Sequence, residues 1–158
     1  MLNDAAAVSV RTACPEDLAR VITIEYHSFG DPWSPETLLD ELTADGMRLP
    51  LVAERDGQVV GFLMAWFVVD QLHVLNIAAD TRCRRQGIGT ALLCEAARRG
   101  LAQGLVEATL EVRRSNAAGR AFYYRHGFRE TGVRKRYYAD NGEDAIILDC
   151  ELATLVGD

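Results

Sequence analysis

A strand that runs into two glycines and then into a helix constrains this chain more than any other stretch. Leu72-His73-Val74-Leu75-Asn76-Ile77-Ala78 reads as the strand, and Arg84-Arg85-Gln86-Gly87-Ile88-Gly89-Thr90 as the loop that feeds the helix. Glycines let a ligand come close to the backbone, and amides at a helix start point outward with partial positive charge. Two arginines and a glutamine beside them complete the build of a site for a diphosphate. The loop is neither of the two best-known nucleotide loops. A P-loop would carry Gly-Lys-Ser/Thr, whereas Thr90 follows Gly89 with no lysine, and a dinucleotide fingerprint would have a third small residue where Leu92 stands. The competing reading is a tight strand-to-helix turn that needs its glycines for geometry alone.

Bulk properties narrow the partners. At 158 residues, 49% hydrophobic and 25% charged, the chain is expected to be one globular domain over residues 1–158 with a real core. Its longest apolar run, residues 61–69, is nine residues and cannot span a bilayer, so no membrane partner is expected. Residues 1–8 carry an aspartate and three alanines in place of a basic-then-apolar leader, which points to a cytoplasmic protein. The formal charge of −6 argues against nucleic acid, which needs a basic surface. Basic residues do cluster at 82–85 and 134–136, and a small anion explains the first cluster better than DNA would. Cys14, Cys83, Cys94 and Cys150 form no Cys-x-x-Cys pair and read as free thiols. Cys83, in the basic loop, lacks a partner in sequence that would make it a nucleophile. The three histidines show no zinc spacing, so no metal is expected. A monomer or weak dimer is the expected assembly.

Along the chain, residues 8–12 read as a short strand, and Pro15-Glu16-Asp17 opens a helix to about Ser28. Ser34 caps a second helix to about Ala44. Strands over 51–54 and 58–68 flank Asp56-Gly57, a hairpin signal. The strand over 72–78 and a helix over 88–103, stopped by Gly104, frame the loop. A strand over 106–112, a helix over 116–126 stopped by Gly127, and strands over 128–133 and 144–152 complete a βααβββαβαββ order. An antiparallel meander followed by strands alternating with helices implies an α/β (α+β) fold with a mixed sheet and helices on both faces.

The Arg/Gln-x-x-Gly-x-Gly/Ala loop and this order resemble the GCN5-related N-acetyltransferases (GNAT). Thr109-Leu110-Glu111-Val112-Arg113-Arg114-Ser115-Asn116 and Ala121-Phe122-Tyr123-Tyr124-Arg125-His126-Gly127-Phe128 are similar to a Leu-Glu-Val-Arg-x-Ser-Asn…Leu-Tyr-x-x-x-Gly-Phe block of the RimI branch. That branch comprises protein N-terminal acetyltransferases, typified by an enzyme acting on an N-terminal alanine of a small-subunit ribosomal protein. Asp31-Pro32-Trp33-Ser34 resembles its Phe-Pro-Trp-Ser, with Asp31 as a departure. Arg136-Tyr137-Tyr138 and Gly142-Glu143-Asp144-Ala145-Ile146-Ile147 resemble its Asn-Tyr-Tyr…Glu-Asp-Ala-Ile-Ile, with Arg136 in place of asparagine. The likeness runs from about Val8 to Leu152 and implies a mostly antiparallel sheet of about seven strands.

N-acetylation is attack of a neutral amine on a thioester, so a base, an acid and an oxyanion donor are wanted. Glu111, near a strand end, is the candidate base, acting through water; the bland alternative pairs it with Arg113 or Arg129. Tyr123 is the candidate acid, since a phenol titrating at about 10 still holds its proton at neutral pH. An aromatic run on an amphipathic helix is also ordinary core. The resemblance implies acetyl-CoA as cosubstrate, with its pyrophosphate on Arg84, Arg85, Gln86, Gly87, Ile88, Gly89 and Thr90. It likewise implies that the pantetheine arm lies on the backbone of Ile77, Ala78 and Ala79. Asn116 is either a helix cap or a cofactor contact. Trp33, Asn76, Tyr137 and Tyr138 are substrate-side candidates, and His27, His73 and His126 read as strand or helix-end residues. The acceptor implied is a protein N-terminus. Another amine (a lysine side chain, a small molecule or antibiotic) and a CoA-binding regulatory module without turnover remain as alternatives.

Overall fold

The computed structural model describes residues 7–157; residues 1–6, where the expectation of no leader falls, lie outside the described residues. Seven strands form one sheet in the order β1-β2-β3-β4-β5-β7-β6. The strands are β1 (Ser9–Thr12), β2 (Arg48–Arg55), β3 (Gln58–Val68), β4 (Gln71–Ala79), β5 (Glu107–Arg113), β6 (Arg129–Arg134) and β7 (Ala145–Glu151). Every pairing is antiparallel except that of β4 with β5. The helices are α1 (Leu18–Ser28), α2 (Pro35–Glu41), α3 (Ile88–Ala102), α4 (Ala117–Arg125) and a short α5 (Leu152–Val156).

Local chemistry sets the helix starts. The side chain of Ser34 accepts from the Thr37 amide at 3.2 Å, and Pro35 occupies the first turn of α2. Asn116 Oδ1 accepts from the Gly119 amide at 2.9 Å and caps α4. Ahead of α1, Pro15–Asp17 form a single 3-10 turn tied by Asp17 Oδ2 to the Cys14 amide at 2.9 Å.

Both faces of the sheet are buried, which is why β3 reads as a nearly unbroken apolar run. Leu63, with Leu51 and Ala53 of β2, packs under Ile88, Leu92 and Ala96 of α3. Phe62 and Met64, with Val52 of β2, meet Val21 and Ile24 of α1 and Leu38 and Leu42 at α2. Gly61 lies where the two layers close: a Cβ built there would stand 2.6 Å from Ile88 Cγ2 and 3.1 Å from the Ala78 carbonyl oxygen. The missing side chain lets the first turn of α3 settle onto the sheet.

Three expectations need correction. The closing apolar run stops as a strand at Glu151, and Leu152 opens α5, which packs on α3 at Gly100. The second strand is longer than expected, beginning at Arg48 and passing through Pro50. Proline is tolerated there because β1 pairs only as far as Leu51, so no ladder partner on that side loses an N–H. Helix α2 ends at Glu41, short of Ala44.

Candidate active site

The sheet splits at its centre. β4 and β5 pair only through Gln71, Leu72 and His73 against Glu107, Ala108 and Thr109, after which β5 follows β7 as far as Arg113. Beyond the split, no strand among the described residues lies beside that edge of β4. A cavity of about 960 Å³ passes through this gap from the start of α3 on one face to α1 on the other.

A bulge in β4 decides which side chains share a face. Met64 pairs with Asn76 but Ala65 with Val74, leaving Leu75 as the extra residue. Parity therefore changes midway: Leu72, Val74, Ile77 and Ala79 face the α3 layer, while Ala78 joins the α1 layer. Odd-numbered His73 and even-numbered Asn76 consequently both bond carboxylates away from the α3 layer.

On that face stand two carboxylates. Glu111 Oε1 lies 2.7 Å from His73 Nε2, and Glu111 Oε2 accepts from Arg134 Nε at 3.2 Å. The His73 hydrogen bond holds Glu111 below the ordinary carboxylate range; burial opposes this and Arg134 adds to it. The expected alternative partners do not meet it. Arg113 instead bonds Asp140 at 3.0 Å and Glu143 at 3.2 Å, and its guanidinium lies 4.0 Å over the Tyr138 ring. Glu25, on the buried side of α1, is 1% exposed. Its Oε2 accepts from the Trp33 amide at 2.8 Å and its Oε1 from Asn76 Nδ2 at 2.7 Å. Burial pushes this carboxyl up, against the pull of those two donors. Glu25 thus ties the α1–α2 loop to β4.

The two tyrosines on the cavity differ from water-exposed phenols. Tyr123 is buried edge-to-face against Phe122 and Phe128, and burial pushes its hydroxyl well above the ordinary phenol range. Tyr138 is pushed up to about 12 by burial, with Arg113 opposing. Both hold their protons at neutral pH.

At the other end, Gly87 takes a left-handed φ of 80° as the cap of α3, and nothing lies within 4 Å of where its Cβ would be. Arg85 precedes it at φ 63°. The Ala91 amide is the first to bond back into the helix, to Gly87 O at 3.0 Å. The amides of Ile88, Gly89 and Thr90 precede that bond at the positive end of the helix. Asp80 anchors the loop from below, its carboxylate accepting from Arg20 at 2.7 Å and from the Arg82 amide at 2.9 Å. Gly89 serves a different purpose from Gly87: its Cβ would meet the Phe122 ring at 2.9 Å, so it admits α4.

Of the residues singled out in sequence, Glu111, Tyr123, Ile77, Ala78, Ala79, Arg84, Arg85, Gly87, Ile88, Gly89, Thr90, Asn116, Trp33, Asn76 and Tyr138 line this one cavity. Two do not. Gln86 turns to the Arg55 guanidinium, and Tyr137, 49% exposed, packs edge-to-face on Tyr138. Cys83 lines the cavity as a free thiol. The sequence alone assigns no site role to His73, Glu25 or Arg134. Glu25 carried a signal, being a carboxylate on the same helical stripe as Val21 and Ile24; His73 carried none until its strand partner was known.

The comparisons with known proteins bear on the fold and the family. The model of the Acetyltransferase (GNAT) family matches residues 18–128. The [ribosomal protein bS18]-alanine N-acetyltransferase of Escherichia coli (strain K12) is 35% identical over 134 residues, 84% of this chain and 89% of that protein. The crystal structure of the ribosomal-protein-S18-alanine N-acetyltransferase from Escherichia coli matches with a TM-score of 0.82 at 32% identity, covering 92% of this chain and 94% of that one. Ard1 from Thermoplasma volcanium matches with a TM-score of 0.83 at 27% identity, covering 92% and 98%. Fold and site together define an N-acetyltransferase. The chain belongs to the acetyltransferase (GNAT) family, whose donor is acetyl-CoA, and within it resembles the RimI type. Among the described residues no helix is long and apolar enough to cross a membrane, and no group of three or more His, Cys, Asp or Glu could hold a metal.

Proposed function

We propose that this chain acetylates the α-amine of a protein N-terminus, an alanine of a small-subunit ribosomal protein as in its relatives, with residues 1–158 acting as one cytoplasmic domain. The observation that supports this most is a single cavity lined by both the glycine loop and Glu111, running through the split between β4 and β5. The loop fits a diphosphate: Gly87 leaves open space, the α3 amides point outward, and Arg84 and Arg85 add charge. The unpaired β4 edge at Ile77, Ala78 and Ala79 suits the amide-bearing pantetheine arm. Acetyl-CoA, when bound there, supplies the thioester.

The protein's own groups then divide the work. Ionised Glu111 faces the incoming ammonium and takes its proton through water, while Trp33 and Tyr138 flank the peptide. A carboxylate held low is a weak base but a good electrostatic partner for an ammonium, so Glu111 also retains the amine. Tyr123, protonated, is the donor to the departing thiolate. A β4 amide serves the oxyanion. Incubation with acetyl-CoA and a peptide beginning Ala-Arg is expected to release CoA and block the α-amine. Reaction confined to lysine side chains or small amines would overturn the acceptor assignment. Glu111→Gln is expected to lose turnover by about two to four decades while keeping acetyl-CoA affinity; unchanged turnover would remove Glu111 from the mechanism.

A further inference from the structure

The end of α4 holds a histidine whose contacts fix its tautomer. His126 Nδ1 lies 2.8 Å from the Phe122 carbonyl oxygen. A carbonyl only accepts, so Nδ1 carries the ring proton and Nε2 of the neutral ring is an acceptor. Nε2 lies 2.8 Å from Thr90 Oγ1, so the Thr90 hydroxyl must donate to it. Thr90 sits in the first turn of α3 and lines the cavity. With its proton committed to His126, its oxygen offers only lone pairs to whatever binds there, the wrong polarity for a diphosphate. One proton reverses this. An imidazolium donates from both nitrogens, Nε2–H then gives to Thr90 Oγ1, and the hydroxyl proton is free to turn to a phosphate oxygen.

Charge runs the same way. The ionisable side chains lining that end of the cavity are Arg84, Arg85, Arg125 and Cys83. From β7, the Cys150 thiol donates to the His126 carbonyl oxygen at 3.8 Å, and the Phe122 ring covers the imidazole with 4.4 Å between centroids. The carboxylates on the cavity (Glu25, Asp31 and Glu111) come from α1, the loop after it and β5, not from α3 or α4. A dianion bound at this end of the cavity favours a cation on the ring.

We propose that His126 is a positioning residue of the diphosphate site: anion binding at α3 takes up one solvent proton at His126 Nε2, and this turns the Thr90 hydroxyl into a donor. The same proton returns to solvent on release, and no other bond changes. The inference rests on the diphosphate reading given above, and one experiment separates the two. Isothermal titration calorimetry of the full chain with dephospho-CoA is repeated in buffers of different ionisation enthalpy. This probe keeps the pyrophosphate but lacks the 3′-phosphate, which itself titrates near neutrality.

Binding is expected to take up a fraction of a proton at neutral pH, and affinity should fall by up to about tenfold between about pH 5.5 and about pH 8. The sign follows because the protonated form binds better, so affinity is lost as pH rises through the imidazole range. His126→Asn should bind without proton uptake, Thr90→Val should lose both uptake and affinity, and Thr90→Ser should retain both. Wild-type binding without uptake, or uptake that survives in His126→Asn, overturns the proposal. Failure to bind at any pH overturns the diphosphate reading, and the proposal with it.

Discussion

Gly61→Ala tests whether the start of α3 is seated as tightly as the geometry requires. The new Cβ would stand 2.6 Å from Ile88 Cγ2, 3.1 Å from the Ala78 carbonyl oxygen and 3.4 Å from Leu92 Cδ1. Carbon atoms at rest are about 3.5–4.0 Å apart, so the first contact is about 1 Å too short. Relief by rotamer is closed, because Ile88 is β-branched and 2% exposed, and the Ala78 contact is backbone. The first turn of α3 must lift instead. Overpacking of this kind costs about 1–3 kcal/mol. Ala should by itself stabilise a strand by about 0.5–1 kcal/mol relative to Gly. The net is a loss of up to about 2.5 kcal/mol, or a fall in Tm of up to about 10 °C for a chain of this size.

Because Gly87–Thr90 hang on that turn, acetyl-CoA affinity should weaken as well, about tenfold for a displacement that costs about 1.4 kcal/mol in the complex. Differential scanning calorimetry and acetyl-CoA titration read the two effects. The double variant Gly61→Ala with Ile88→Leu, which has no Cγ2 methyl, should recover part of both, giving a coupling energy in a double-mutant cycle. A Tm equal to or above wild type, with unchanged affinity, would refute the reasoning, because only the backbone gain of alanine would then be operating.

Three other perturbations follow from single features. Arg136 sits at a left-handed φ of 52°, where the resembled pattern has asparagine; Arg136→Asn keeps the amide bond to Asp144 and should raise Tm by about 2–4 °C, for about 1 kcal/mol of strain relieved. His73→Ala removes the largest influence holding Glu111 low, so the acid limb of kcat/KM should move to higher pH, and activity at pH 6 should fall more than at pH 8. Asp80 is held well below the ordinary carboxylate range, first by Arg82 and further by Arg20. Asp80→Asn should therefore cost about 1–3 kcal/mol in urea unfolding above about pH 4, a penalty that shrinks as pH falls below that range because wild type protonates too.

How much of this was legible depended on whether the controlling chemistry was local. Ser34, Asn116 and Asp56-Gly57 announced two helix starts and a hairpin because a cap or a tight turn needs only neighbours in sequence. Element order and the glycine turn ahead of α3 were readable for the same reason. The insertion of β7 between β5 and β6 was not, since strand partners are chosen by long-range burial that one segment does not encode. Leu152–Val156 failed differently: five residues too short to show a helical period continue an apolar strand in composition alone. The site followed the same division. Glu111 and Tyr123 stood inside a resembled block, whereas His73 acquires meaning only from the register that ends the β4–β5 pairing beside Thr109.

The bulge at Leu75 explains why that register matters chemically. In a regular β4, the residues two and four beyond His73 would share its face, namely Leu75 and Ile77, and no polar group would follow it there. One extra residue replaces them with Asn76 and Ala78, so the Glu111 and Glu25 carboxylates are both met by side chains from a single strand. The same shift turns Ile77 and Ala79 toward α3, packing the strand end beneath the glycine loop. A mostly apolar strand can therefore present polar side chains to carboxylates on one face and apolar ones to α3 on the other, provided its alternation breaks once. That break lies within the stretch of β4 that has lost β5 as its neighbour, where an irregular backbone costs no cross-strand bonds on the open side.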